Sequence, residues 1–217
     1  MFKHLIFDCD GVLVDTEIVA AEVVSKVLNK YGREVSLDQY IREYTGKLIS
    51  VILNTIPSEN REGINIQEIM HECEIEIYNQ LRPVADMPEV VKTLPLPKSV
   101  VSNSALWQVE KAINHVGLND VFDQRYFSAE MVPNPKPAPD VYLHASETLG
   151  IDPSNCLVVE DSKAGVNAAV KAGMTVIGFV GASHILPGHA EALSEIGAKH
   201  IAKNAQELQS IIKDLTK

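Results

Sequence analysis

Residues 3–11 read KHLIFDCDG, a short apolar run that stops at two aspartates and a glycine. This pattern is typical of a buried β-strand that leads into a turn. Similar short runs recur along the chain and predict five more strands: Ser99–Val101, Arg125–Ser128, Cys156–Val159, Thr175–Val180 and His200–Ala202. Three of the six runs end in clusters of polar residues, DCD, SNS and EDS, which makes their ends the first candidates for a functional site.

Helical patterns separate most of these strands. They cover Leu106–Val116, Pro139–Leu149, Ala164–Lys171 and Ala205–Leu215. Apolar strands that alternate with helices predict an α/β fold, a doubly wound parallel sheet with helices on both faces. Ligands of such sheets bind outside the carboxyl ends of the strands, where the three polar clusters are expected to lie.

The alternation is interrupted after the first strand. The intervening segment reads as four helices, Thr16–Tyr31, Leu37–Tyr44, Leu48–Ile56 and Ile66–Leu81, with no strand between them. We therefore predict a core domain formed by residues 1–15 and 84–217, and an all-helical insertion formed by residues 16–83.

Composition excludes several classes of protein. The 217 residues carry a net charge of -10, which argues against nucleic-acid binding because such proteins usually present a basic face. No apolar run approaches the roughly 18 residues of a membrane span, and the acidic N-terminus does not resemble a signal peptide. Three widely spaced cysteines, Cys9, Cys73 and Cys156, favour a reducing compartment over a disulfide framework. We expect a cytoplasmic protein, by default a monomer.

The carboxylates at the strand ends suit a metal ion. Asp8 and Asp10 are two residues apart in an extended segment and can face one site, although one could equally cap a turn while the other is solvated. Glu160 and Asp161 add two carboxylates at another strand end. Together they make an oxygen-rich site suited to magnesium.

Neutral donors and one cation complete the set. Ser102 and Asn103 follow the second run, and Lys136 lies in the proline-rich stretch PKPAP, residues 135–139, which limits its movement. Carboxylates, a metal, a hydroxyl and a fixed lysine suit a phosphoryl group in transfer, because its charge spreads over the equatorial oxygens.

The chain resembles the haloacid dehalogenase superfamily, and within it the phosphatases similar to β-phosphoglucomutase and phosphoglycolate phosphatase. Four motifs in the family's order carry the resemblance across nearly the whole length: FDCDGVLVDTE at Phe7–Glu17, VVSNS at Val100–Ser104, NPKPAPDVY at Asn134–Tyr142 and VVEDSKAGVNAAVKAGM at Val158–Met174. The helical insertion resembles the family's small cap domain.

The resemblance implies a role for each matching residue. Asp8 would attack phosphorus and become an aspartyl-phosphate, while Asp10 would act as general acid and then general base. Ser102 and Lys136 would hold the phosphoryl oxygens.

The same resemblance implies Mg²⁺ as the cofactor. Its ligands would be the Asp8 carboxylate, the Asp10 backbone carbonyl and the Asp161 carboxylate. Glu160 would add a direct or an outer-shell contact.

The cap of such relatives closes over the site and contributes the residues that select the substrate. The candidates here are Thr16, Glu17 and the segment Thr45-Gly46-Lys47, although Lys47 could equally be an exposed lysine at a helix start. β-Phosphoglucomutases carry a histidine and an arginine where this chain has Ala20 and Ile49. Their absence favours hydrolysis over a mutase reaction that must bind both ends of a bisphosphate.

We therefore expect a phosphatase of a small phosphate ester, a sugar or sugar-acid phosphate first, with phosphoglycolate or a nucleotide monophosphate as further candidates. A β-phosphoglucomutase-like phosphotransferase and an inactive binding protein on the same fold are the alternatives. His184 and His189 lie in the stretch GASHILPGH after the predicted strand Thr175–Val180. They could reach the rim of the site, but we interpret both as surface residues.

Overall fold

The computed structural model describes all 217 residues and contains six β-strands. The strands are β1 (His4–Phe7), β2 (Lys98–Ser102), β3 (Tyr126–Ser128), β4 (Cys156–Glu160), β5 (Thr175–Phe179) and β6 (His200–Ala202). All six predicted strands are therefore present, with ends that shift by at most one residue. They form one sheet in the order β3-β2-β1-β4-β5-β6, and every neighbouring pair is parallel.

Eleven α-helices accompany the sheet. They are α1 (Thr16–Lys30), α2 (Leu37–Tyr44), α3 (Ile49–Leu53), α4 (Ile66–Asn79), α5 (Met87–Thr93), α6 (Leu106–His115), α7 (Asn119–Phe122), α8 (Asp140–Leu149), α9 (Lys163–Lys171), α10 (His189–Ile196) and α11 (Ala205–Leu215). Short 3₁₀ turns occur at Ser58–Asn60, Ala129–Met131 and Pro153–Asn155. None of the helices combines the length and the apolar character needed to cross a membrane.

The sheet is buried on both faces, as the doubly wound prediction requires. Every residue of β1, β2, β3 and β4 is buried, so helices must cover the sheet above and below. Strand β1 lies in the middle, where Phe7 pairs with Val100 on one side and with Val159 on the other. The residues that follow β1, β2 and β4 are therefore brought to one edge of the sheet. The predicted α/β class is confirmed.

The chain divides into two compact units. One contains the sheet and is formed by Met1–Val14 and Pro83–Lys217; the other is formed by Asp15–Arg82 and contains α1 to α4. Helix α1 packs against α2 and α4 within this second unit, and α3 packs against α4. The boundaries differ by one residue from the sequence-based division, and the action of the helical unit as a cap stays a prediction.

The sequence analysis missed three helices and predicted a fourth helix too long. Helices α5, α7 and α10 were not predicted: α7 has only four residues, and α5 begins at Met87, directly after Asp86 in the left-handed region and one residue before Pro88. The predicted helix Leu48–Ile56 is limited to Ile49–Leu53, because Asn54 closes it and the chain turns. Short helices of this kind depend on packing more than on periodicity.

A polar cluster also lies at the amino ends of the strands. The buried His4 ring places Nε2 3.1 Å from the Ser99 hydroxyl. The Lys98 ammonium donates to the backbone carbonyls of Leu94 and Leu96 at 2.7 and 2.9 Å, and the Arg125 guanidinium donates to the Lys98 carbonyl. Burial, with smaller contributions from Arg125 and Lys98, lowers the pKa of His4 from 6.5 to about 4.

Candidate active site

The carboxyl edge of the sheet brings most of the predicted site residues together. Asp8 directly follows β1, Ser102 ends β2, and Glu160 and Asp161 lie at the end of β4. Because β1 is hydrogen-bonded to both β2 and β4, these residues share one edge. All four are buried, with at most 7% of each exposed, which is rare for carboxylates unless they are paired or bind a cation.

Lys136 supplies the paired charge. Its ammonium donates to Asp8 Oδ1 at 2.8 Å, to Glu160 Oε1 at 2.7 Å and to the Val101 carbonyl at 2.9 Å. All three donor positions of the ammonium are thereby used, and its orientation is fixed. Lys136 thus restrains the Asp8 carboxylate.

Asn103 positions the loop that carries Lys136. Its side-chain oxygen accepts from the Lys136 backbone N–H at 2.9 Å, and its side-chain nitrogen donates to the Lys136 carbonyl at 3.1 Å. Both ends of the side-chain amide are therefore engaged with the backbone of Lys136. The sequence analysis grouped Asn103 with the donors expected to bind the phosphoryl group, and a contact of Asn103 with phosphate stays a prediction.

Glu160 is fully buried and accepts hydrogen bonds at both oxygens. Oε1 accepts from Lys136 and from the Tyr142 hydroxyl at 3.1 Å, while Oε2 accepts from the backbone N–H and the hydroxyl of Ser162. A Cβ atom at Gly165 would lie 1.6 Å from Oε1, so only glycine leaves room for this carboxylate. Glu160 therefore anchors Lys136, and its role as a direct metal ligand stays a prediction.

Tyr142 was not singled out by the sequence analysis. It is fully buried on α8, and its ring lies 5.0 Å from the Lys136 ammonium in addition to its hydrogen bond with Glu160. Its place in the motif NPKPAPDVY was visible, but an aromatic residue on a helix is more often a core residue.

Two serines hold Asp10. The Ser104 hydroxyl donates to Asp10 Oδ2 at 2.8 Å, and the Ser102 hydroxyl lies 3.4 Å from the same oxygen. Ser102 in turn accepts from the Ser104 backbone N–H at 3.0 Å. Ser104 belongs to the SNS cluster, yet the sequence analysis gave it no role. The predicted contact of Ser102 with a phosphoryl oxygen stays a prediction.

Asp161 is held by histidines that the sequence analysis placed on the surface. His184 Nε2 lies 3.5 Å from Asp161 Oδ2, and His189 Nε2 donates to the Asp161 backbone carbonyl. The His184 side chain is only 10% exposed. The surface interpretation is therefore wrong for His184, whereas the part-exposed His189 reaches the site through the Asp161 carbonyl.

The site carries an excess of negative charge that suits a divalent cation. One potential ligand oxygen each from Asp8, Glu160 and Asp161 lie within 4.8 Å of one another, and Lys136 is the one ammonium that contacts this group. Oxygen donors at this spacing match the preference of hard divalent cations. The residues present therefore fit a metal ion of this kind.

Burial controls the protonation of the cluster. It raises the pKa of Asp8 well above its usual range, and the Glu160 charge adds to this while Lys136 opposes it. Burial likewise raises the pKa of Asp161, and the contact with His184 opposes this rise. For Lys136, burial alone would lower the pKa, but the Asp8 and Glu160 carboxylates together outweigh it and hold the pKa well above its usual range. The ammonium thus stays charged.

The predicted cap residues lie in the helical unit. Thr16 is the first residue of α1 and is half-buried, as is Glu17. Lys47 is exposed, and its ammonium lies 5.5 Å from the ring centre of Tyr44. The substrate contacts predicted for these residues stay predictions.

Comparison with known proteins identifies the family. The family model for haloacid dehalogenase-like hydrolases matches residues 5–179. A 6-phosphogluconate phosphatase of Escherichia coli is 24% identical over 85% of this chain and 86% of its own length. A phosphorylated carbohydrates phosphatase of Thermotoga maritima is 29% identical over 98% and 99%, and a fructose-1-phosphate phosphatase of Escherichia coli is 31% identical over 81% and 95%.

Solved structures agree with these relatives. A haloacid dehalogenase-like protein of unknown function from Agrobacterium tumefaciens is 32% identical, with a TM-score of 0.84 over the whole of both chains. A hydrolase of the same family from Deinococcus radiodurans, solved with bound phosphate and sodium, is 26% identical, with a TM-score of 0.86 over 99% of this chain and 96% of that one.

Proposed function

This chain belongs to the haloacid dehalogenase-like hydrolases and is a phosphatase, and we propose that it hydrolyses a phosphorylated carbohydrate through a phosphoryl group carried on Asp8. The observation that carries the proposal is the contact of Lys136 with Asp8 at 2.8 Å, beside oxygens of Glu160 and Asp161 within 4.8 Å. A fixed carboxylate nucleophile in a charged, buried site suits phosphoryl transfer, where positioning and electrostatics supply most of the catalysis.

Asp8 is the nucleophile in the first step. A carboxylate oxygen of Asp8 forms a bond to phosphorus while the bond from phosphorus to the ester oxygen breaks. Asp10 gives its proton to that oxygen, so the carbohydrate leaves as a neutral alcohol. Lys136 keeps the nucleophile in position, because its ammonium donates a hydrogen bond to one oxygen of the Asp8 carboxylate.

Asp10 then changes role. As a carboxylate it takes a proton from water, whose oxygen attacks phosphorus and releases Asp8 and inorganic phosphate. Ser104 and Ser102 hold Asp10 Oδ2, which keeps the same group in place for both proton transfers. Ser102 and Lys136 are the groups we assign to the phosphoryl oxygens.

Mg²⁺ is the proposed cofactor. The carboxylates of Asp8 and Asp161 and the backbone carbonyl of Asp10 would hold it, with Glu160 close enough for a direct or outer contact. When bound, the cation polarises the phosphoryl oxygens and offsets the negative charge that gathers at the site.

Phosphorylated carbohydrates are the proposed substrate class. The support comes from relatives whose names give 6-phosphogluconate, fructose 1-phosphate and phosphorylated carbohydrates as substrates. Ala20 and Ile49 stand where β-phosphoglucomutases carry a histidine and an arginine, and the arginine holds the second phosphate there, so hydrolysis is favoured over the mutase reaction. We assign Thr16 and Lys47 to the recognition of the carbohydrate.

The test is phosphate release from p-nitrophenyl phosphate and a panel of phosphorylated carbohydrates, with Mg²⁺ and after EDTA. We expect turnover that requires the cation and falls at least about 1,000-fold in Asp8→Asn. Asp214→Asn is the matched control, because Asp214 is an exposed aspartate that pairs only with Lys217. Turnover that survives EDTA or Asp8→Asn would contradict the proposal. Isomerised sugar phosphate that forms faster than free phosphate would indicate the mutase instead.

A further inference from the structure

Two histidines after β5 converge on Asp161. His184 lies in the loop of residues 180–188, and His189 is the first residue of α10. Since β5 is the neighbour of β4, this loop leaves the sheet beside the strand end that carries Asp161. His184 approaches the carboxylate and His189 the backbone carbonyl of the same residue, so Asp161 is contacted at two separate points.

Gly11 closes the other side of the Asp161 carboxylate. Its φ is +75°, and a Cβ atom there would lie 1.9 Å from Asp161 Oδ2 and 3.1 Å from the Cε1 atom of His184. The carboxylate therefore occupies a narrow slot between the backbone of Gly11 and the ring of His184. With 8% of its side chain exposed, Asp161 has little freedom to turn out of this slot.

The chemistry of the acceptors defines what each ring does. A backbone carbonyl only accepts hydrogen bonds, so Nε2 of His189 must carry a hydrogen. An ionised carboxylate also only accepts, so Nε2 of His184 faces Asp161 as a donor. One histidine thus fixes the backbone of Asp161, and the other fixes the direction of its carboxylate.

The loop itself is held in place. A Cβ atom at Gly181 would lie 2.9 Å from the Lys203 carbonyl, so the glycine allows close passage beside the end of β6. Ala182 is buried, its carbonyl accepts from the Ile185 N–H, and the Leu186 carbonyl accepts from the His189 N–H. The two rings therefore approach Asp161 from a supported segment.

We infer that His184 and His189 are positioning residues that orient Asp161 toward the divalent cation. This inference rests on the proposed function, since it needs Asp161 to be a metal ligand. His184 is not part of the group of potential ligands formed by Asp8, Glu160 and Asp161, and it contacts that group through the Asp161 carboxylate. Hydrogen-bonded partners of metal ligands commonly affect metal affinity by about 10- to 100-fold.

The experiment measures Mn²⁺ binding by the loss of the free-ion signal in electron paramagnetic resonance, with no substrate present. We expect His184→Leu and His189→Leu each to weaken Mn²⁺ affinity about 10-fold or more. His184→Gln and His189→Gln keep a side-chain N–H donor and should stay within about threefold of the wild type, which a general loss of packing would not allow. His115→Leu is the control, since His115 is exposed on α6.

Each outcome is decisive. Unchanged affinity in both leucine variants, or equal losses in the leucine and glutamine variants, overturns the inference while the proposed function stands. Thermal unfolding without metal checks that each variant is folded. If the leucine variant of one histidine is unfolded, the leucine and glutamine variants of the other histidine test the inference. If the wild type binds no Mn²⁺, or Asp161→Asn binds it as tightly as the wild type, the proposed metal site itself is overturned and the inference with it.

Discussion

The two ends of the parallel sheet both contain buried polar side chains, but they use them differently. At the carboxyl end, the Lys136 ammonium contacts two carboxylates, Asp8 and Glu160, at 2.8 and 2.7 Å. At the amino end, the Lys98 ammonium donates to backbone carbonyls, and His4 meets the hydroxyl of Ser99. The carboxyl end pairs an ammonium with carboxylates, whereas the ammonium at the amino end forms hydrogen bonds with backbone carbonyls.

This difference separates a catalytic site from a structural one. Backbone carbonyls are present in any fold, so a buried lysine that serves them is explained by stability alone. Several buried carboxylates around one ammonium repel each other and leave a charge unbalanced, which costs stability unless the site binds a cation. Burial of polar groups alone does not identify function; the convergence of like charges does.

The largest expected effect comes from removing each lysine in turn. Lys136→Met leaves Asp8 and Glu160 buried without their cation, and we expect a loss of about 3–5 kcal/mol in the free energy of unfolding together with the loss of activity. Lys98→Met leaves carbonyls unpaired, at a cost of about 1–3 kcal/mol, with kcat unchanged in the folded protein. Urea unfolding and phosphate release measure the two quantities.

The lysine pair also shows how the comparison could fail. If Lys98→Met reduces kcat as much as Lys136→Met, the amino end takes part in catalysis. If Lys136→Met retains turnover, the ammonium does not restrain the nucleophile in the reaction.

A second expected effect concerns pH at the amino end. The folded pKa of His4 is about 4, against 6.5 ordinarily, so below pH 6.5 the unfolded chain binds a proton that the folded chain does not. The stability that His4 contributes is therefore present above pH 6.5 and is lost as the pH falls toward 4. We expect the free energy of unfolding of wild type relative to His4→Gln to fall by about 1–2 kcal/mol between pH 7.5 and pH 5.

If the free energies of unfolding of wild type and His4→Gln change with pH in parallel, this assignment is contradicted. The difference between the two proteins is the quantity to compare, because the carboxylates at the other end of the sheet titrate in both.

The smallest expected effect separates two serines. Ser104→Ala removes the donor to Asp10 at 2.8 Å and should lower kcat about 5- to 10-fold, the value of one hydrogen bond, with stability almost unchanged. Ser99→Ala removes the partner of His4 and should lower stability without affecting kcat. Steady-state kinetics and thermal unfolding of both variants check the pair, and a reversed pattern would contradict it.

The fold and the centre of the site could be predicted because their signals are local. A short apolar run followed by Asp8 or by Glu160 and Asp161 defines a strand end, and the parallel topology brings those ends together. The stiff, proline-rich sequence around Lys136 was likewise visible. The same logic failed for α7, which has only four residues, and for α10, which has eight.

The remaining contacts depend on distant parts of the chain. Asn103 engages the backbone of a residue 33 positions away, and His189 reaches back 28 positions to Asp161. No local pattern distinguishes such an asparagine or histidine from an exposed one. The roles of residues in the helical unit are harder still to predict. The exposed ammonium of Lys47 lies beside the ring of Tyr44, and this contact does not indicate which substrate Lys47 would bind.

Trapping of the phosphoenzyme tests the central claim about Asp8 most directly. Asp10→Asn lacks the base for the second step, while p-nitrophenyl phosphate has a leaving group that needs no proton, so with Mg²⁺ the intermediate should accumulate. We expect intact-protein mass spectrometry to show the mass of one added phosphoryl group, lost on treatment with hydroxylamine and mapped to Asp8 in peptides. The adduct should be absent when Asp8→Asn is added to the same variant. No adduct in a folded, metal-loaded Asp10→Asn protein, or an adduct on another residue, would contradict the assignment of Asp8 as the nucleophile.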